Sequence, residues 1–301
     1  MSIGKASFKN EKEITNFIFE CEEKFESMLS HAADEIILKN VRIITICGPT
    51  CSGKTTTAGI LTSKLKAKGK NVHILSFDDF YLDRDTIIKN CLARGAEVEY
   101  ESASTLDLPL LKKVMGEIAS EDKTTVPRFD FNTGARAGYK EYVLCDDDVF
   151  IFEGIQAFYE EVFALYSHLE HYSIYISVKE PISFGENVFD TETIRFLRRV
   201  VRDKKHRQTT AEETSKMWKT VRENEEANIF PNIHRADFII DSSLAYEINV
   251  IQGDAREALG EVDPKSSFYK RAMELLSKFN GISQIDEDYV PTESVLQEFI
   301  N

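Results

Sequence analysis

Gly48-Pro49-Thr50-Cys51-Ser52-Gly53-Lys54-Thr55 is the stretch whose reading decides the fold of this chain. It fits G-x-x-x-x-G-K-[ST], and its flanks are those the pattern requires. Before it, Val41 to Cys47 (VRIITIC) reads as a buried β-strand. After it, Thr56 to Lys68 carries Ile60, Leu61 and Leu65 at helical spacing. Strand, glycine loop and helix make a phosphate cradle. Gly48 and Gly53 let backbone N–H groups turn inward, and the helix N-terminus adds positive potential. Lys54 is expected at the β- and γ-phosphates and the Thr55 hydroxyl on Mg²⁺. The expected nucleotide-binding residues are therefore Gly48, Pro49, Thr50, Cys51, Ser52, Gly53, Lys54, Thr55 and Thr56. Cys51 reads as a tolerated loop residue rather than a redox switch.

The bulk composition narrows the class. A length of 301 residues suits one large domain or two small ones. With 42% hydrophobic and 29% charged residues, a soluble globular protein with a sizeable core is expected. A formal net charge of −14 argues against general binding to nucleic acid or to anionic membranes, since both repel such a surface. No apolar stretch reaches the roughly 18 residues of a membrane span, and MSIGKASFKNEKE lacks a signal-peptide core. Five scattered cysteines, at 21, 47, 51, 91 and 145, suggest reduced thiols and a cytoplasmic protein.

Along the chain, residues 11–39 read as a helix, with Ile14, Phe17, Ile18, Cys21 and Phe25 at three- and four-residue spacing. Five apolar runs read as parallel strands: 41–47, 72–77, 149–152, 173–178 and 237–240. Helical stretches separate several of them, as βαβ units require. Tyr246 to Ile251 (YEINVI) reads as an added edge strand. Residues 80–146 read as a loop-rich acceptor region punctuated by Gly95, Pro109, Pro127, Gly134 and Gly138. SSFYKRAMELLSKF and TESVLQEFI read as closing helices. The expected fold is α/β, a P-loop NTPase of the nucleoside/nucleotide kinase type. Its central, mostly parallel sheet is flanked by helices, with further helices at the N- and C-terminal ends. The expected division is a helical extension over 1–40, a kinase domain over 41–252 and a helical segment over 253–301.

Three features surround the loop. Asp78, in SFDDFY, closes the second predicted strand, where ligands of open α/β sheets gather. A carboxylate there can accept the proton of an attacking hydroxyl or hold Mg²⁺. A turn or cap is the structural alternative, and Asp79 suits it. Glu153, in VFIFEG, repeats the pattern, and Gly154 allows close backbone approach. Arg195, Arg198, Arg199 and Arg202 lie at i, i+3, i+4 and i+7, one helical stripe. The stripe suits a phosphate clamp, because guanidinium matches phosphate oxygens bidentately. A solvated basic face with pairs such as Asp203–Arg207 is the alternative.

Taken in order, GPTCSGKTT, SFDDFY, VPRFDFNTGAR, FEGI, DTETIRFLRRVVRD and IFPNIHRADFII resemble the uridine kinase/phosphoribulokinase family of P-loop kinases. The pattern is most similar to bacterial uridine kinase-like nucleoside kinases. The resemblance implies transfer of the ATP γ-phosphoryl group to a nucleoside 5′-hydroxyl, uridine- or cytidine-like, with Mg²⁺. It implies Asp78 as general base, and Thr55, Glu153 and Asp78 around the metal. Lys54, Arg198 and Arg202 are implied on ATP phosphates, and Arg195 toward the acceptor. Tyr81, Glu101, Phe129 and Arg136 are implied around the nucleoside, with Glu101 on the ribose hydroxyls. Two departures stand out: Phe129 replaces the family's usual tyrosine, and Gly134 stands where pyrimidine-specific kinases place a base-contacting histidine. A kinase of another hydroxylated metabolite (sugar phosphate, pantothenate or glycerate) is the rival within the class. A nucleotide-binding regulator is the rival outside it, although no N-K-x-D motif is present. The expected partner is a small hydroxylated acceptor, not nucleic acid or membrane, and a homo-oligomer is compatible with the sequence.

Overall fold

The computed structural model describes residues 2–93, 95 and 100–301. In chain order its elements are β1 (Ser2–Ile3), α1 (Glu11–Lys39), β2 (Ile43–Cys47), α2 (Lys54–Ala67), β3 (Asn71–Ser76), α3 (Arg84–Ala93) and α4 (Leu108–Ser120). There follow β4 (Lys123–Asp130), β5 (Ala135–Val143), β6 (Asp148–Glu153), α5 (Glu160–Tyr166), β7 (His171–Ser177), β8 (Ile182–Phe184) and β9 (Asn187–Phe189). The chain closes with α6 (Thr191–Arg207), α7 (Ala211–Asn224), β10 (Phe238–Asp241), α8 (Glu247–Gly260), α9 (Tyr269–Lys278) and α10 (Gln297–Ile300).

The expected central sheet is present and parallel, in the order β10-β7-β2-β6-β3. β2 shows why its run is continuously apolar: it is buried along its whole length. Ile44 and Ile46 join one core, and Ile43 and Cys47 join the other, because alternate residues of a strand point to opposite faces. The register fixes the site. Ile46 and Ser76 both stand opposite Glu153, so β2, β3 and β6 finish level and release their loops at one end.

α1 starts at Asn10, whose side chain accepts from the Glu13 N–H, and stops at Asn40 in the left-handed region, φ 50°. Ile18, Phe25, Leu29, Ala32, Ala33 and Ile36 are buried in the same core as Ile44 and Ile46. The Tyr172 and Tyr246 hydroxyls donate to Glu35 and Glu22 of this helix.

Two expectations are corrected. The predicted edge strand at 246–251 is the start of α8. Ile248, Asn249, Val250, Ile251 and Gln252 are all buried, so the helix has no polar stripe at its start from which a period could be read. The predicted loop region at 80–146 instead holds α3, α4 and the antiparallel hairpin β4–β5. Pro109 lies in the first turn of α4, and Pro127 borders the register shift of the hairpin, so both mark elements rather than loop.

Leu29 is fully buried in the shared core. Leu29→Ala is expected to cost about 2–5 kcal/mol in urea unfolding. A loss near zero would mean that α1 is an appendage.

Candidate active site

The loop between β2 and α2 is shaped by close approach. A Cβ on Gly48 would sit 2.1 Å from the Ile176 carbonyl oxygen. Gly53 has φ +91°, and a Cβ there would sit 2.1 Å from Val295 Cγ2. Cys51 takes φ 57° and is buried. Lys54 Nζ donates to the carbonyls of Gly48 and Pro49, both at 3.1 Å, which poises the ammonium over the loop. Ser52 Oγ is buried and has no hydrogen-bond partner among the described residues. A narrow cradle, a poised lysine and an orphaned hydroxyl fit a polyphosphate.

Two buried ion pairs hold this loop from behind. Arg195 donates to both carboxylate oxygens of Glu225, at 2.7 and 2.8 Å, and to the Thr50 carbonyl at 3.1 Å. Glu225 in turn accepts from the Thr50 N–H at 2.9 Å. It opens a single π turn, Glu225–Ile229, directly after α7. Arg198, fully buried, donates to Glu247 at 2.6 and 3.0 Å, to the Ser242 carbonyl at 2.7 Å and to the Cys51 carbonyl at 3.3 Å. Arg195, expected toward the acceptor, and Arg198, expected on phosphate, are not among the residues lining the cavity in front of the loop. Both guanidinium groups are committed to acids and to loop carbonyls on the far side of the cradle.

Arg199, Arg202 and Arg207 face the cradle instead. They line a polar cavity of about 350 Å³ with Thr50, Cys51, Lys54, Thr55, Asp78, Tyr81, Glu101 and Glu153. Asp203, fully buried, gathers all three: Arg199 at 3.1 Å, Arg202 at 3.3 Å and Arg207 at 3.4 Å. The Asp203–Arg207 pair is thus one part of a fixed cation cluster, not an isolated solvated pair.

Asp78 lies in a short 3₁₀ turn, Phe77–Phe80, entered through Ser76, whose hydroxyl accepts from the Asp78 N–H at 3.2 Å. Burial raises the Asp78 pKa above the ordinary carboxylate value and Asp79 adds to the rise, while the Lys54 ammonium, Tyr81 and Gln156 oppose it. Glu153 is raised for the same foremost reason, with Lys54 opposing and Asp78 adding. Gly154 admits Phe77, whose Cβ would lie 3.0 Å from any Cβ built on the glycine. Asp79 serves structure: its carboxylate accepts from the Phe129 N–H at 3.2 Å. With the exposed Thr55 in the same cavity, Asp78 and Glu153 form an oxygen donor set suited to Mg²⁺, an ion that relies on few carboxylates plus phosphate oxygens.

Tyr81 also lines a second, apolar cavity of about 450 Å³ with Arg84, Ile87, Tyr100, Phe129 and Phe131. Its hydroxyl donates to the Tyr100 carbonyl at 2.9 Å and accepts from Gln156 at 3.1 Å. Arg136 is absent from this lining. Its guanidinium pairs with Asp107 at 3.0 Å and lies over the Tyr139 ring. Glu101, in the polar cavity, accepts from the Asn224 amide at 3.0 Å.

Residues 43–248, more than half of the chain, match the sequence profile of the Phosphoribulokinase / Uridine kinase family. The chain belongs to this family. It is 29% identical over 124 residues to a uridine kinase of Ureaplasma urealyticum serovar 10, covering 41% of this chain and 58% of that protein. It is 27% identical over 237 residues to uridine-cytidine kinase A of Dictyostelium discoideum, covering 76% of this chain and 42% of that protein. The chain thus spans about half the length of these relatives. A phosphoribulokinase from Rhodobacter spheroides aligns with a TM-score of 0.45 at 16% identity, over 66% of this chain and 69% of that one.

In this member of the family, a side chain at Gly134 would be strained and would have to displace Arg84. Gly134 has φ +67°, and a Cβ would lie 2.7 Å from Arg84 Nε. Arg84 also donates its N–H to the Gly134 carbonyl at 2.8 Å and its guanidinium to the Phe131 carbonyl at 3.1 Å. Arg84, Tyr100 and Phe131 are site residues that the motifs do not single out. Glu225 and Glu247 escape a motif reading too, lying 30 and 49 residues from the arginines they hold.

Arg198→Met is expected to cost about 3–5 kcal/mol in chemical unfolding, because Glu247 is left buried and unpaired. Arg207, with its side chain 57% exposed, should lose no more than about 0.5 kcal/mol as Arg207→Ala. Equal losses for the two variants would contradict the division of the α6 arginines into buried and cavity-facing groups.

Proposed function

We propose that this chain is an ATP-dependent kinase that transfers the γ-phosphoryl group to the 5′-hydroxyl of a nucleoside. The observation that carries the reading is the junction of the two cavities at Tyr81. On one side lies a polar cradle with a fixed arginine cluster, and on the other an aromatic box. Asp78 stands on the polar side of that junction. An aromatic box suits a planar base, since stacking contributes about 1–3 kcal/mol per base. The two arginines expected to read an anionic acceptor are committed elsewhere, Arg195 to Glu225 and Arg136 to Asp107, and Arg84 in the aromatic box gives its guanidinium to the Phe131 carbonyl. That favours a neutral acceptor over a sugar phosphate or glycerate.

In this reading, the acceptor base lies among Tyr81, Phe129 and Phe131, and Glu101 takes the ribose hydroxyls. Asp78 accepts the proton of the 5′-hydroxyl as it attacks. Lys54, Arg199, Arg202 and Arg207 stabilise the charge that spreads over the transferring phosphoryl oxygens. Thr55, Asp78 and Glu153 would hold Mg²⁺, which would supply charge that neutralises phosphate oxygens. With no side chain at Gly134, the base is read by aromatic faces and Arg84, so discrimination among bases should be weak.

Incubation with ATP, Mg²⁺ and mixed nucleosides should give nucleoside 5′-monophosphates by mass spectrometry. ADP release only with glycerate or a sugar phosphate would sink the nucleoside assignment. Asp78→Asn should lower kcat by about 10²–10⁴ while ATP affinity stays within a few fold. The pH profile gives a separate check. A raised carboxylate pKa means that the base is lost as pH falls through a value above the ordinary range. The acid limb of kcat/KM should therefore lie above the pH at which a solvated aspartate titrates, and a limb at that pH would contradict the role.

A further inference from the structure

The segment from Pro291 to Ile300 is packed onto the back and rim of the phosphate loop. Val295, Leu296, Phe299 and Ile300 are buried. Val295 fills the space that the missing Gly53 side chain leaves, and the Arg198 guanidinium lies over the Phe299 ring at 4.9 Å. Ser294 Oγ shares a 3.1 Å hydrogen bond with Tyr246, and Lys205 Nζ donates to the Ile300 carbonyl at 2.7 Å. These anchors carry Glu298 to the mouth of the polar cavity. There its carboxylate accepts from the Thr56 hydroxyl at 3.3 Å.

Thr56 belongs to the first turn of α2, whose N–H groups point at the place where an anion binds, and its hydroxyl is one more donor on that turn. A carboxylate already holds one of those donors. The same carboxylate lines the cavity together with Arg202, whose ionisation is opposed by burial and favoured by Asp203 and Glu298. The cavity's cations, Lys54, Arg199, Arg202 and Arg207, face four acids, Asp78, Glu101, Glu153 and Glu298. In the proposed reaction Asp78 and Glu153 act on the hydroxyl and the metal, and Glu101 on the acceptor. Glu298 alone has no part in it.

We propose that Glu298 is an intramolecular competitor of the donor polyphosphate, holding the Thr56 hydroxyl and screening Arg202 until phosphate oxygens displace it. The inference rests on the reading of this cradle as the donor site. Only the side chain has to swing, because the backbone around it is anchored. The device lowers affinity for the nucleotide on both sides of the reaction, and so hastens release of the spent donor.

The test is equilibrium binding by calorimetry to the 301-residue wild type, Glu298→Gln and Glu298→Ala, with melting temperatures recorded for all three. The probes are ATP, GTP, inorganic tripolyphosphate and adenosine. Both variants should bind ATP and tripolyphosphate roughly tenfold more tightly, about 1.4 kcal/mol, with adenosine unchanged. Equal or weaker polyphosphate binding by both folded variants would overturn the proposal. So would a loss confined to ATP relative to GTP, which would make Glu298 a base contact. Turnover is not read, so failure of the acceptor assignment would leave this result standing.

Discussion

Two buried arginine–glutamate pairs, Arg195–Glu225 and Arg198–Glu247, are what the rest of the site depends on. A phosphate loop must present its N–H groups inward, which leaves its carbonyls facing protein. Arg195 and Arg198 donate to the carbonyls of Thr50 and Cys51, and Glu225 accepts from the Thr50 N–H. Burying such pairs is costly, and an apolar substitute of similar size is often as stable. Their contribution here is geometric. Each arginine is held by an acid and by loop carbonyls, so the backbone between Gly48 and Gly53 has few alternatives. Cys51 can therefore be held at φ 57°, where a non-glycine residue is disfavoured.

The same helix serves both sides of the cradle. From α6, Arg195 and Arg198 reach behind the loop, while Arg199, Arg202 and Arg207 reach in front of it around Asp203. Movement of α6 would therefore shift the loop and the cation cluster together. The parallel sheet supplies the acids independently, because β3 and β6 end level with β2. Phosphate recognition and proton transfer, as proposed, thus rest on different elements that meet at one cavity.

Much of this was legible in the residues. The loop, its flanking strand and helix, and the strands that deliver Asp78 and Glu153 follow from short apolar runs ending in an acid or a glycine. α1 was legible because its buried face recurs at helical spacing. α8 was not, since burial of Asn249 and Gln252 beside Ile248 and Ile251 leaves no polar stripe to show a period. The hairpin β4–β5 hid behind its exposed, charged residues and Pro127. The arginine stripe was visible, but its division was not. Which guanidinium turns toward the cradle depends on Glu225 and Glu247, acids brought in by tertiary packing alone. Glu298 reaches the site from the far end of the fold, and no local pattern marks it.

The central claim is that the loop is shaped from behind by these pairs, and a double-mutant cycle tests it most directly. The variants are Arg195→Met, Glu225→Gln and their combination, each checked for folding, with ATP affinity measured by calorimetry. Partners that act through one loop should be strongly non-additive, with a coupling of about 1–3 kcal/mol. The account predicts that each single variant weakens ATP binding about tenfold or more and that the double variant is no worse than the weaker single. Single variants that fold and bind ATP as tightly as the wild type would contradict it.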